Sequence, residues 1–426
     1  MPSFSLPNMD SLIENLSHEN IDVRSEALGQ IEKAAKAGLS VEDGLKLIRA
    51  ATRTLPDAQF AWRGTAAQLM KYVAVQPKLE HVQVVLEVFG YLDDRAQEWA
   101  TRLVASVEHP DAARAFVELI GRYAENGRTP PSHVVIPLER TPRHSEVLFP
   151  ALLQFSSYPH LQRLVFYLLL RYCQHNLVPS AVLCDAAPGA VLAYRELRDK
   201  IASVQAAAGS EGRQSEEYHD IRVIAGIMLD LFGYLPIALV RSDVVEALGF
   251  PDTYMKFFAV MSLVRHGEGV SPEQMRQVAS DPEHRTNLYR YLESSGRLDL
   301  FPSDYMNQAS FAEADMVSWL AYPTELGRAP DEIELMYVES LDLGPEEDVF
   351  DWYLFRFRCL SGHAAGNGWM AGVSGPYARK DAPSPESYGD TFSKFEPWES
   401  KRAEEHIAEI RQLMQEWREA HSARNN

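Results

Sequence analysis

"MDSLIENLSHENIDVRSEALGQIEKAAKAG", Met9 to Gly38, decides how the first third of the chain is read. It splits into two short helical patterns. Leu12, Ile13 and Leu16 make one apolar stripe. Val23, Ala27, Leu28 and Ile31 make the next, at the i, i+4, i+5, i+8 spacing of one helix face. Asp22 stands where a side chain would cap the free N–H groups of the second helix.

The pattern recurs. "VEDGLKLIRAATRTL" precedes "AWRGTAAQLMKYVAV", and "KLEHVQVVLEVFGYL" precedes "DRAQEWATRLVASV". In the second helix of each pair Ala27, Ala66 and Ala100 take like positions, each followed four residues on by Ile31, Met70 and Val104. The intervals are 39 residues (27 to 66) and 34 residues (66 to 100), in the range of two-helix repeats. One helix pair cannot bury its apolar stripe alone, so neighbouring pairs stack and share a core. Small alanines let the helices approach closely.

The "IDVRSEALGQI" segment, with Asp22, Val23 and Arg24 at the turn into the second helix, resembles a HEAT repeat. The resemblance covers roughly residues 8–120. The second copy carries Trp62-Arg63 where the first has Val23-Arg24, and the third departs further. Membership of the HEAT/armadillo class would imply a curved α-solenoid that grips other proteins. Some HEAT-like proteins are DNA glycosylases, which makes an enzyme acting on nucleic acid the alternative.

Residues 121–145 hold four prolines and two glycines and read as an irregular break. Helical patterns resume over 146–322, with "VQAAAGSEGRQSEEYHD" as a second interruption and Ser271-Pro272-Glu273 as a helix start. Beyond Pro323 the period changes to two. Ile333, Leu335 and Tyr337 alternate with Glu332, Glu334 and Met336. Tyr353, Phe355, Phe357 and Cys359 face one way, and Leu354, Arg356 and Arg358 the other. With a third short strand over 369–374, the expectation for 323–426 is a small antiparallel β-meander, a proline-bearing wrapping segment and a terminal amphipathic helix. Ile407, Ile410, Met414 and Trp417 form the stripe of that helix, which docks on its own domain. The fold class expected is thus mostly α: a HEAT-like solenoid followed by that meander and helix.

The 426 residues carry 60 acidic against 41 basic side chains, a formal charge of −19. Such a field repels nucleic-acid phosphates and anionic lipid and favours a basic partner protein. The longest strongly apolar run, Leu164–Leu170, is seven residues, far short of the about 20 that span a bilayer. Three cysteines, Cys173, Cys184 and Cys359, are too few for a disulfide framework and point to a reducing, cytoplasmic setting.

Candidate chemistry is sparse. Cys359 and His363 stand four apart, which raises a Cys-dependent hydrolase, but Cys359 shares a face with Phe355 and Phe357 and reads as a buried thiol. Cys173, His175 and Cys184 match no familiar zinc spacing. Asp281–Arg285, "DPEHR", reads as a helix start. No cofactor-binding motif is present, and Gly372 and Gly375 are expected to let a neighbour pack closely on the third strand. Asp331–Asp351 contains nine acids and no Lys or Arg. Its Glu346, Glu347 and Asp348, with Trp369 and Trp398 near loops, are the candidate partner-binding residues, while Arg356 and Arg358 are placed to pair across strands with Glu332 or Glu334. The leading reading is a noncatalytic protein-interaction module, an adaptor or an inhibitor or immunity-type protein.

Overall fold

The protein is described by a computed structural model, covering residues 8–56, 64–212, 215–342, 349–360, 366, 368–387 and 392–425. The chain separates into two compact units, Met1–Asp243 and Val244–Asn426.

The first unit is helical: α1 (Met9–Asn15), α2 (Ile21–Ala37), α3 (Val41–Ala50), α4 (Thr65–Val73), α5 (Leu79–Val88), α6 (Asp94–Ser106), α7 (Pro110–Glu125), α8 (Ile136–Arg140), α9 (Ser145–Leu152), α10 (Pro159–Gln174), α11 (Ser180–Gly212), α12 (Glu216–Phe232) and the start of α13 (Ile237–Ala247). Within it alternate helices touch. One row runs α1, α3, α5, α7, α9, and the other α2, α4, α6, α8, α10, α12. The three aligned alanines lie in α2, α4 and α6 of the second row. Ala27, Ala66 and Ala100 are buried there, as are Ile31, Met70 and Val104. The equivalent positions found by spacing therefore occupy equivalent places in the stack.

Local chemistry sets the helix ends. Asn20, rather than Asp22, caps α2: its side-chain oxygen accepts from the Asp22 N–H at 2.8 Å, and Asp22 falls in the first turn, where its charge favours the helix dipole. Within the expected break at 121–145, α7 continues to Glu125, and a 3-10 turn (Ser132–Val134) and α8 follow. The interruption expected after Val204 is also occupied by helix, since α11 runs to Gly212. Trp99 is half-buried, with the Lys71 ammonium and Arg102 guanidinium over its ring. Trp62 lies outside the described residues.

The second unit holds α14 (Thr253–Arg265), α15 (Pro272–Ala279), α16 (Pro282–Ser294), α17 (Gln308–Leu320), β1 (Glu332–Asp342), β2 (Val349–Arg358), β3 (Met370–Ala378), β4 (Phe392–Pro397) and α18 (Ala403–Asn425). Ser271 and Gln274 form a capping box at the start of α15, with Pro272 at its first position. Asp281 caps α16 through a single bond, accepting from the Glu283 N–H at 3.0 Å, which is the helix start read from "DPEHR".

The sheet is an antiparallel meander in the order β1-β2-β3-β4. Its fourth strand lies in the segment expected only to wrap. Both faces are covered. Tyr353, Phe355, Phe357, Met370 and Tyr377 pack on Ala312, Met316 and Leu320 of α17. Phe350, Trp352, Leu354 and Ala378 pack on Ile410 and Met414 of α18. The terminal helix thus docks on its own unit through the expected stripe, with Ile407 and Trp417 beside it. Because α17 precedes Pro323 yet forms one of the two layers, the sheet shares its core with the helices before it. Two glycines serve this packing. A Cβ on Gly372 would lie 2.9 Å from Met316 Sδ, and one on Gly375 2.8 Å from the Asp351 carbonyl oxygen, at a φ of +136°.

Candidate functional site

The sheet edge at β1 gathers most of the residues that the sequence singles out. The β1–β2 register places Glu332 opposite Arg358 and Glu334 opposite Arg356. Both pairs form. Arg356 Nε donates to Glu334 Oε2 at 2.7 Å, and Arg358 Nε donates to Glu332 Oε2 at 2.5 Å. The hydrogen bond from Arg358 holds the Glu332 carboxyl below its usual range and raises the guanidinium in return. Glu334 is exposed and the other three partners are half-buried, so water screens each pair, which orders the strands more than it stabilises them.

Three further acids of this run are matched by cations from outside it. Arg328 reaches Asp331 at 2.6 Å, and Arg411 of α18 reaches Glu339 at 3.0 Å. Asp351 is buried, and Arg379 meets both its oxygens at 2.8 Å, with the Ser340 hydroxyl at 2.6 Å. A segment that reads as strongly acidic is therefore largely neutralised where it folds. Glu346, Glu347 and Asp348 lie outside the described residues.

Trp369 and Trp398 are both half-buried. Trp369 carries the Arg356 and Arg358 guanidinium groups 4.5 and 4.6 Å from its ring centroid, so its π-face is already engaged by two cations. Trp398 stacks on His406 of α18, with ring centroids 4.7 Å apart and planes 8° from parallel. Their place in the fold is at the sheet's end and under the terminal helix, rather than together on one patch.

What the charge pattern hid is apolar. Leu335, Met336, Tyr337 and Val338 are four consecutive side chains of β1, each 38–44% exposed. β1 is an edge of the sheet, and a bulge between Leu335 and Tyr337 takes Met336 out of register. Edge strands present unpaired backbone N–H and C=O groups, and proteins usually blunt them with charge. Here the charges sit at the flanks and the centre is bare hydrocarbon and phenol. The signal was in the sequence: "LMYV" breaks strict alternation, placing Met336 among apolar residues where a solvent-facing strand position would be polar.

The possible reactive centres resolve differently. Cys359 is buried at the end of β2, and burial pushes its thiol up, away from the thiolate a nucleophile needs. His363 lies outside the described residues. Cys173 is buried in α10 while Cys184 is exposed on α11. With His175 they do not make a group with ligand atoms within 4.8 Å of one another. Among the described residues no helix is long and apolar enough to cross a membrane. No protein-family model matches the chain, and no curated protein matches it.

Proposed function

We propose that this chain is a noncatalytic protein-interaction module, an adaptor or an inhibitor or immunity-type protein. It takes an extended segment of a partner protein as an added strand along the outer edge of β1. The observation that carries this reading is the exposed Leu335–Val338 run on an edge strand. Strand addition supplies main-chain hydrogen bonds for affinity and alternate side-chain contacts for specificity. The formal charge of −19 favours a basic partner over nucleic acid. Two stacked rows of helices in the first unit support the HEAT-like reading, in which further partner surface is presented by the repeats. Three cysteines, too few for a disulfide framework, favour a reducing, cytoplasmic setting.

The test compares the wild-type chain with Tyr337→Lys as bait in native lysate, read by quantitative mass spectrometry. Tyr337 is exposed, so the change leaves the core intact. A basic protein recovered in stoichiometric amount by wild type and lost with the variant supports the reading. Equal recovery by both baits, or no stoichiometric partner for either, overturns it.

A further inference from the structure

At the seam between β4 and α18 a group of side chains gathers that the protein-binding reading does not use. Glu396 comes from β4, and His406 and Glu409 from α18, three residues apart and so on one helix face. One ligand atom from each lies within 4.8 Å of the other two. All three line a small cavity of about 20 Å³, walled otherwise by apolar residues including Leu354, Val373 and Leu413. That is room for one water or one ion.

His406 is the informative member. It is 4% exposed. Its Nε2 lies 3.1 Å from the Trp398 carbonyl oxygen, and its ring stacks on the Trp398 indole. A ring N–H donated to a backbone carbonyl leaves the lone pair on the other nitrogen, the arrangement in which protein histidines ligate metals.

Lys401 is the present neighbour of the carboxylates. Its ammonium is 2.6 Å from Glu396 and also pairs with Glu409. This pairing raises the ammonium and holds the Glu396 carboxyl below its usual range. The ion pair occupies the two acids, and the buried imidazole beside them takes no part in it.

We propose that Glu396, His406 and Glu409 bind one divalent transition-metal cation of the zinc class, which displaces the Lys401 ammonium. One imidazole nitrogen and two carboxylates, with a water in the fourth position, suit zinc. Calcium needs six to eight oxygens, and magnesium a near-ideal octahedron, which this set does not offer. Since two ligands lie on α18 and one on β4, the bound ion would tie the terminal helix to the sheet and raise the melting temperature by mass action. The proposal is independent of the partner-binding reading.

The test uses the full chain carrying Cys184→Ser, which removes the exposed thiol, after treatment with a chelator. Zinc chloride is titrated calorimetrically and cobalt(II) by absorption. The expected result is one ion per chain, with visible cobalt bands and no thiolate charge-transfer band. Binding should weaken about tenfold or more in His406→Gln and in Glu409→Gln. It should tighten by about tenfold in Lys401→Met, where the competing ammonium is gone. Circular dichroism checks that each variant is folded. Binding unchanged in both His406→Gln and Glu409→Gln overturns the proposal. So does an absence of saturable binding to the parent chain, even if Lys401→Met binds, because lysine would then be the permanent occupant.

Discussion

The Tyr377 hydroxyl donates to Asp315 Oδ2 at 2.5 Å, joining β3 to α17 across the inner face of the sheet. Ser374 Oγ lies 3.2 Å from the same phenol oxygen. Burial raises the Asp315 carboxyl above its usual range, opposed in part by the Tyr377 hydrogen bond and by Arg290. Burial and the adjacent carboxylate raise the phenol well above its own. Tyr377→Phe removes one donor from a largely desolvated carboxylate and should cost about 1–3 kcal/mol in urea unfolding. The sign of the pH effect follows from the raised carboxyl. The fold favours protonated Asp315, so its contribution is fully present below the unfolded pKa and is lost as pH rises through the folded one. Asp315→Asn should therefore gain on wild type as the pH rises from about 4 through the raised folded value. A constant difference across that range would refute the assignment.

His81 gives the opposite slope in the first unit. It is 1% exposed, its Nδ1 accepts from the Lys78 N–H at 3.1 Å, and its Nε2 lies 3.3 Å from the Val41 carbonyl oxygen. Burial pushes the imidazole below its ordinary pKa. The fold thus holds it neutral, and its contribution is present above about pH 6.5 and lost as pH falls through the depressed value. Urea unfolding followed from about pH 8 to about pH 5 should show His81→Gln losing less stability than wild type on acidification. Parallel profiles for the two would mean that His81 is not the group responsible.

How much of this was legible in the sequence depends on how far apart in the chain the interacting residues stand. That Arg356 and Arg358 pair across strands with Glu332 and Glu334 followed from period-two alternation, while the fold set which meets which. The stacking of α2, α4 and α6 followed from alanines recurring at repeat spacing. The neutralisation of the acidic run did not, because Arg379 and Arg411 arrive from segments with no pattern linking them to β1. β4 is six residues long and begins seven residues after Pro385, so neither its length nor its composition announced a strand. Asn20 displaced Asp22 as the cap because both are good capping residues and the choice lies in the backbone turn. In the sequence His406 is one polar residue in an amphipathic helical pattern. Only the fold shows that the loop carrying Trp398 comes back over it.

Gly372 offers a packing test that can be rescued. A Cβ there would meet Met316 Sδ at 2.9 Å, Met316 Cε at 3.0 Å and Phe357 Cε1 at 3.1 Å. Gly372→Ala should cost about 1–3 kcal/mol through overpacking. Met316→Ala leaves a cavity and should cost about 2–5 kcal/mol alone. Because the new methyl enters the space that the methionine leaves, the double variant should be more stable than the sum of the two, by about 0.5 kcal/mol or more. Strict additivity would show that α17 moves away instead of clashing.

The three thiols should separate by reactivity. Cys184 is exposed, while Cys173 and Cys359 are buried. Burial also raises the Cys359 pKa and so lowers its thiolate fraction. An aromatic disulfide reagent at mildly alkaline pH should label Cys184 rapidly and reach the other two only on denaturation. Rapid native labelling of Cys359, located by peptide mapping, would contradict its burial and reopen a nucleophilic role.

The docking of α18 can be weighed against the exposure of β1 in one experiment. Ile410 and Met414 are buried against Phe350, Trp352 and Leu354, whereas Tyr337 on the neighbouring edge is open to solvent. Ile410→Ala removes side-chain volume from a closed site and should cost about 2–5 kcal/mol. It should also render α18 sensitive to limited proteolysis, since the helix's apolar stripe is what holds it. Tyr337→Lys should change stability by no more than about 0.5 kcal/mol, because that side chain is exposed and belongs to neither core cluster of the sheet. If Tyr337→Lys instead destabilised the chain as much as Ile410→Ala, the tyrosine would belong to the core, and the open edge on which partner binding rests would not exist.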